Sequence, residues 1–202
     1  MRLFIGIPLA AAVIDELAAT VARYRRREDG LRWTAPETWH ITLQFLGETN
    51  AEQYECLTAR LGELRSQPVP VQLQGLGLFE RTGVFFAGVK VSSQLLALQQ
   101  RMIAATSKCG FVAETRPFHP HITLARSRAK NREKGSTTPA SKDRPLGTPA
   151  GIRDQSGLSG LKARIQRQPK FTRFAAQEFN LYESFPGPGG SRYEIRERYP
   201  PG

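Results

Sequence analysis

The sequence predicts a fold of mixed helices and strands, arranged as two halves with the same order of elements. The tetrapeptide HITL occurs twice, at 40–43 and at 121–124, although the chain has only three histidines. The spacing also repeats, since 36 positions separate Phe4 from His40 and 35 separate Phe86 from His121. These observations predict an internal duplication of one pattern of strands and helices.

The elements of the first half follow from the spacing of their apolar residues. They are a strand at 2–7, a helix at about 10–26, the first motif strand at 39–46 and a helix at 49–64. The motif strand alternates as a strand with one buried face does. Its polar face is predicted to carry His40, Thr42 and Gln44. Its buried face is predicted to carry Ile41, Leu43 and Phe45.

The second half is predicted in the same way, with turns marked by glycine and proline. Its elements are an antiparallel strand pair at 70–79 and 83–91, a helix at 92–110, the second motif strand, a short helix at 160–166 and closing strands at 171–184 and 192–199. The long helix starts at a serine cap and ends at a glycine. Its predicted buried stripe consists of Leu95, Leu98, Met102 and Ala105.

The composition is that of a globular domain. A chain of 202 residues can bury a core without disulfides or metals to hold it. Cys56 and Cys109 lie 53 positions apart without CxxC spacing, so we expect small buried side chains and not a disulfide. No apolar run approaches the roughly 18 residues that span a bilayer, and the first ten residues lack the features of a signal peptide. A cytoplasmic location is therefore expected.

The positive charge is concentrated in one segment. The chain carries a net charge of +11, and residues 127–170 hold 11 Lys and Arg against three Asp and Glu, which is 11 − 3 = +8. The part at about 127–156 is rich in Ser, Thr, Pro and Gly and poor in large apolar residues, so it is predicted to be a disordered basic insertion. A role in contacting RNA is the alternative for this segment.

The repeated HxT motif suggests chemistry at a phosphate. Residues i and i+2 of a strand share a face about 6.6–7 Å apart, so an imidazole and a threonine hydroxyl can reach one small group. Two imidazoles on opposite sides of a phosphorus can remove one proton and deliver another. Thr42 and Thr123 could donate to the non-bridging oxygens. Arg126 could add positive charge, but only if its strand ends or bulges first, because its parity is opposite to that of His121.

These residues resemble a known family. The two HITL motifs, ITLQFLGE after the first, RPFHPHITLAR around the second and LYES near the end are similar to the motifs of the two-histidine phosphoesterases. The similarity is specifically to the bacterial RNA 2′,3′-cyclic phosphodiesterases once described as 2′-5′ RNA ligases. It covers nearly all of residues 1–202, as one domain of two pseudo-symmetric lobes, with the basic insertion as a departure from the pattern.

The resemblance implies a bilobed α+β fold in which two antiparallel sheets surround a central cleft that carries both motifs. It implies hydrolysis of an RNA 2′,3′-cyclic phosphate to a 2′-phosphomonoester, and it implies no metal or cofactor. The oligomeric state is open, with a monomer as the default expectation. By motif, His40 resembles the acid that protonates the 3′ oxygen and His121 the base that deprotonates water. Thr42, Thr123 and Arg126 would hold the phosphate, and the same groups would serve the reverse 2′-5′ ligation.

Other interpretations stay open at this point. A single HxT is more often a half-buried strand histidine bonded to a neighbour than a catalytic group. The chain could bind RNA without catalysis, or use a metal, for which the HPH sequence at His119 is the candidate. Trp33, Trp39 and Phe118 flank the motifs and could stack on a base, although core packing is expected for at least two of them.

Overall fold

A computed structural model describes residues 1–65, 67–127, 156–165 and 168–200. The strands are β1 (Arg2–Pro8), β2 (Leu31–Trp33), β3 (His40–Glu48), β4 (Val69–Val71), β5 (Leu73–Phe79), β6 (Val84–Val89), β7 (His121–Ser127), β8 (Phe174–Ala176), β9 (Phe179–Gly187) and β10 (Gly190–Tyr199). The helices are α1 (Ala11–Tyr24), α2 (Ala51–Gly62), α3 (Ser93–Ser107) and α4 (Ser156–Arg164).

Two antiparallel sheets of four strands form the body of the protein. The first has the order β10-β9-β1-β3 and the second the order β2-β7-β6-β5, while β4 and β8 form a separate pair. The α+β fold class with antiparallel sheets is therefore confirmed. Strand β2 was not predicted, and the predicted strands at 70–79 and 171–184 are each divided into two. Extended segments this short depend on the partner strand, which local sequence does not show.

Helices α2 and α3 begin at side-chain caps, whereas α4 begins at Ser156, four residues before the start of the helix predicted at 160–166. At the start of α2, Asn50 and Gln53 form a capping box in which each side chain bonds the other's backbone N–H. Helix α3 starts with the Ser92 hydroxyl accepting from the Leu95 amide at 3.1 Å. All four residues of its predicted stripe are buried: Leu95, Leu98, Met102 and Ala105. Leu95, Leu98 and Met102 join apolar side chains of both sheets in one core.

The pairing of strands repeats between the halves. Strand β1 pairs with β3 as β6 pairs with β7, and Gly6 lies opposite Thr42 where Phe86 lies opposite Thr123. Strand pairing therefore aligns Gly6 with Phe86, whereas the spacing in the sequence aligned Phe4 with Phe86. The difference is two residues, which keeps the same face of the strand.

Both motif strands contain a β-bulge directly after their threonine. The pairing skips Leu43 in β3 and Leu124 in β7. The predicted alternation of β3 is wrong beyond this point, because Gln44 is buried and Phe45 is 70% exposed. An extra residue in a strand reverses the faces of all that follow it until the next irregularity. In β7 the same bulge reverses the alternation, so Arg126 lies on the same face as His121.

Cys56 and Cys109 form a disulfide, with their Cα atoms 5.7 Å apart. The expectation of two separate buried thiols is therefore wrong. The bond joins α2 to the residues just after α3, two helices that also contact each other. Sequence spacing missed it because the two cysteines come together only when these helices pack side by side.

The predicted basic insertion at about 127–156 lies outside the described residues, apart from the residues at its two ends. In the described ranges, every helix is too short or too polar to span a membrane.

Removing the disulfide should destabilise the protein without unfolding it. Because the bond closes a loop of 53 positions, the double substitution Cys56→Ser with Cys109→Ser should lower the free energy of unfolding by about 2–4 kcal/mol. Urea unfolding of the oxidised protein, the reduced protein and the variant measures this. A variant as stable as the oxidised protein would show that the bond contributes nothing, and titration of free thiols after denaturation controls for its presence.

Candidate active site

The structure brings the two HxT motifs together on one surface. Strands β3 and β7 contact each other although they belong to different sheets. His40 lies close enough to His121 and Arg126 for both to act on its pKa. We call the surface formed by His40, Thr42, His121, Thr123 and Arg126 the HxT face. All five side chains are partly exposed, whereas Ile41, Ile122 and Leu124 beside them are buried.

Each motif histidine is oriented by the same backbone hydrogen bond. Nδ1 of His40 lies 2.8 Å from the carbonyl oxygen of Thr38, and Nδ1 of His121 lies 2.8 Å from the carbonyl oxygen of His119. Because a carbonyl can only accept, Nδ1 must donate in both rings. Nε2 is then the nitrogen that can take up or release a proton in each histidine.

Aromatic rings surround His40. Its ring centroid lies 4.6 Å from that of Phe4, 5.1 Å from Tyr193 and 5.6 Å from Tyr182. The absence of a side chain at Gly6 permits this packing, since a Cβ there would lie 3.3 Å from Cδ2 of His40 and 3.1 Å from the Ile41 carbonyl oxygen. The rings and the glycine together restrict the imidazole to one position.

A second aromatic group surrounds His121. Its ring lies 5.0 Å from that of Phe79 and 5.5 Å from that of Phe86, and these two phenylalanines stack on each other. His119 contacts the same two rings. The two motif histidines therefore have equivalent surroundings. In each, Nδ1 is bonded to a backbone carbonyl and the ring packs against aromatic side chains.

Burial makes both histidines hard to protonate. The pKa of His40 is lowered from 6.5 to about 4, mainly by loss of solvent and further by the charges of His121 and Arg126, with the Thr38 carbonyl acting in the opposite direction. Burial also lowers the pKa of His121, and the charges of His119 and Arg126 lower it further. The hydrogen bond to the His119 carbonyl raises it in part. At neutral pH the ligand-free site therefore holds two neutral imidazoles beside the charged Arg126.

The remaining candidates from the sequence, which are His119 and three aromatic residues, do not belong to the HxT face. His119 supplies the carbonyl that orients His121. Within the described part of the chain, no three side chains of His, Cys, Asp or Glu are grouped so as to hold a metal ion. Trp39 is buried, Trp33 packs edge-on against Phe85 and Phe118 packs on the core. The expected core role of at least two of these rings is therefore confirmed.

Sequence reasoning missed the aromatic residues that enclose His40. Phe4 and Tyr193 are 189 positions apart and reach His40 from β1 and β10. Tyr182 belongs to the LYES stretch that carried part of the family resemblance, and this was the one signal for it. The pairing of β9 with both β1 and β10 brings these rings together.

Known proteins share this fold and part of this sequence. Residues 13–145 match the family described as the 2′-5′ RNA ligase superfamily. The chain is 32% identical to an RNA 2′,3′-cyclic phosphodiesterase of Archaeoglobus fulgidus over 136 residues, 66% of this chain and 76% of that protein. It is also 32% identical to an Escherichia coli protein of the same name over 126 residues, 62% of this chain and 71% of that one.

A solved structure agrees over almost the whole length. The crystal structure of E. coli LigT complexed with 3′-AMP superposes with a TM-score of 0.73 at 27% identity, covering 99% of this chain and 97% of that chain. The chain therefore belongs to the 2′-5′ RNA ligase superfamily. The predicted family and the predicted enzyme class, a cyclic phosphodiesterase, are both confirmed by these relatives.

The lowered pKa of His40 predicts a loss of stability in acid. A histidine with a pKa of 6.5 unfolded and about 4 folded binds more protons unfolded, so its contribution is complete above about pH 6.5 and disappears as the pH falls towards 4. The loss should be on the order of 3 kcal/mol. His40→Asn can still donate to the Thr38 carbonyl but cannot titrate, so its unfolding free energy should fall less between pH 6.5 and 4. Equal pH dependence in urea unfolding of the two proteins would contradict this assignment.

Proposed function

We propose that this protein hydrolyses the 2′,3′-cyclic phosphate at the end of an RNA to an RNA 2′-phosphomonoester, by acid and base catalysis from two histidines and without a metal ion. The observation that carries the proposal is the matching orientation of His40 and His121, whose Nδ1 atoms are both bound to backbone carbonyls. The names of the curated relatives support the substrate class.

In the proposed reaction, the two histidines act on opposite sides of the phosphorus. Nε2 of His121 takes a proton from water as the water oxygen bonds to phosphorus. The bond from phosphorus to the 3′ oxygen breaks, and Nε2 of His40 gives its proton to that oxygen. The phosphate stays on the 2′ oxygen. The assignment of acid to His40 and base to His121 rests on the family resemblance, because the two settings are nearly equivalent.

His40 must gain a proton before it can act as the acid. Burial and the nearby Arg126 keep it neutral in the empty site. A bound cyclic phosphate is an anion, and a negative charge close to an imidazole favours its protonated form. Substrate binding would therefore raise the pKa of His40 at the moment when a proton is needed.

The remaining residues of the HxT face would stabilise the phosphate. Thr42 and Thr123 lie two positions after their histidines on the same face, so each hydroxyl can donate to a non-bridging oxygen next to an imidazole. The bulge at Leu124 brings Arg126 to this face. Its guanidinium can offset the charge that develops on the phosphate oxygens.

We further propose that the protein works as a monomer in the cytoplasm on RNA ends that carry a cyclic phosphate. Reverse 2′-5′ ligation would use the same proton transfers in the opposite order. A non-catalytic RNA-binding role is the competing function. It would show binding that weakens with salt and survives His40→Ala, with no turnover.

Replacing either motif histidine should abolish most activity. His40→Ala and His121→Ala should each lower the rate by about 10²–10⁴, because each removes one of the two proton transfers. The measurement is hydrolysis of a short RNA ending in a 2′,3′-cyclic phosphate, in excess chelator, with the position of the product phosphate determined.

His119→Ala is the matched control for these variants. It removes a histidine that touches the same aromatic rings as His121, but it keeps the backbone carbonyl that orients His121. We expect it to retain activity within about tenfold. Full activity in either HxT variant, or an inactive wild-type protein, would rule out the two-histidine reaction. Loss of activity on addition of a chelator would show that the reaction needs a metal ion and would rule out the metal-independent mechanism.

The lowered pKa values predict an acidic optimum for kcat/KM. This quantity reports the ionisations of the free enzyme, and both of its catalytic groups have a pKa below 6.5. The bell-shaped profile of kcat/KM should therefore have its maximum below pH 6.5. The maximum for kcat should lie at higher pH, because bound phosphate raises the pKa of the acid. Steady-state kinetics across the pH range test both, and a kcat/KM maximum above pH 7 would contradict them.

A further inference from the structure

Arg32 lies directly opposite Arg126 in the second sheet. In the antiparallel pairing of β2 with β7, Leu31 is opposite Ser127, Arg32 opposite Arg126 and Trp33 opposite Ala125. Side chains opposite each other in such a pair project from the same face. Leu31, Ala125 and Ser127 are buried, whereas Arg32 and Arg126 are partly exposed. Arg32 therefore extends the HxT face by one strand.

Arg32 and Arg126 place two positive charges opposite each other on neighbouring strands of this face. Asp29 is the acidic residue nearest to Arg32 in sequence. Its carboxylate is already occupied, because it accepts hydrogen bonds from the Leu31 amide at 3.0 Å, the Trp33 indole N–H at 2.9 Å and the Arg26 amide at 3.1 Å. Among the described residues, no carboxylate lies within ion-pair distance of Arg32. Arg32 is therefore a cation with which a bound anion could pair.

The hairpin of the other sheet reaches Arg32. A Cβ on Gly190, at the start of β10, would lie 3.9 Å from Nε of Arg32. The neighbouring cation on this hairpin, Arg192, is already engaged, since it pairs with Glu194 and lies over the Phe185 ring at 4.5 Å. Arg32 thus lies beside Arg126, on the edge strand of the second sheet and close to the hairpin of the first.

We infer that Arg32 binds the phosphodiester next to the cyclic phosphate and makes the enzyme prefer oligonucleotide ends to mononucleotides. This rests on the proposed function, in which Thr42, Thr123 and Arg126 hold the reacting phosphate. A substrate whose 3′ end is the cyclic phosphate has further phosphates only on its 5′ side. The next cation along the HxT face is Arg32, and its planar fork of donors suits a phosphate.

The test compares two substrates, a nucleoside 2′,3′-cyclic monophosphate and a trinucleotide ending in a 2′,3′-cyclic phosphate. The wild-type protein should have the higher kcat/KM on the trinucleotide. Arg32→Gln should lower kcat/KM on the trinucleotide about tenfold or more, mainly through KM, and change it less than about twofold on the mononucleotide. It should also reduce the salt dependence of trinucleotide binding by about 0.7 in log–log slope. Arg32→Lys should recover part of the loss.

Arg60→Gln is the matched control. It removes the same charge from the exposed surface of α2, where Arg60 pairs with the exposed Glu63, and should alter neither substrate selectivity nor the salt slope. Thermal unfolding should show that Arg32→Gln is about as stable as wild type, because Arg32 forms no ion pair with a carboxylate of the described residues.

Each result decides between defined conclusions. An equal loss on both substrates would place Arg32 on the reacting phosphate or in a structural role and would overturn the inference, as would no loss on either. A wild-type protein that does not prefer the trinucleotide would also overturn it. A wild-type protein inactive on both substrates would instead remove the proposed function, and this inference with it.

Discussion

The β-bulge after each HxT motif controls how the rest of the site is assembled. A regular strand places every second residue on one face, so it could expose His121 and Thr123 but would turn Arg126 towards the core. The bulge at Leu124 buries two successive residues, Leu124 and Ala125, and returns Arg126 to the face of the histidine. One inserted residue therefore lets β7 bury Leu124 and Ala125 in the core and still present Arg126 on the HxT face.

The same bulge makes the two halves alike in backbone and different in chemistry. In β3 it buries Leu43 and Gln44 and exposes Phe45, so a phenylalanine stands where β7 has Arg126. Of the two motif strands, only β7 thus carries a positive charge on the HxT face. This asymmetry, and not the histidines themselves, distinguishes one side of the site from the other.

Burial of the imidazoles is the second determinant of the chemistry. Aromatic rings around His40 and His121 remove solvent, and the resulting pKa values keep both rings neutral next to a permanent cation. The backbone carbonyls of Thr38 and His119 fix which nitrogen faces outward. Such a site holds a cation and two imidazoles whose outward nitrogens are fixed before an anion enters, so these side chains need not reorient when one binds. The overall charge of +11 contributes less here than the placement of individual arginines, because most of it lies in residues 127–170.

The sequence by itself determined the elements and the motif pair. Alternation, helical spacing and caps predict the helices and the longer strands, although not β2, and the repeated HITL identifies His40, Thr42, His121 and Thr123 as one group. These are local signals, carried by residues a few positions apart. Tertiary structure decided everything that depends on which strands and helices become neighbours. It joined Cys56 to Cys109, reversed the predicted faces of Gln44 and Phe45, and placed Arg32 across from Arg126. The reason is that strand register and helix packing are set by the burial of the whole core, and a shift of one residue exchanges the two faces of a strand.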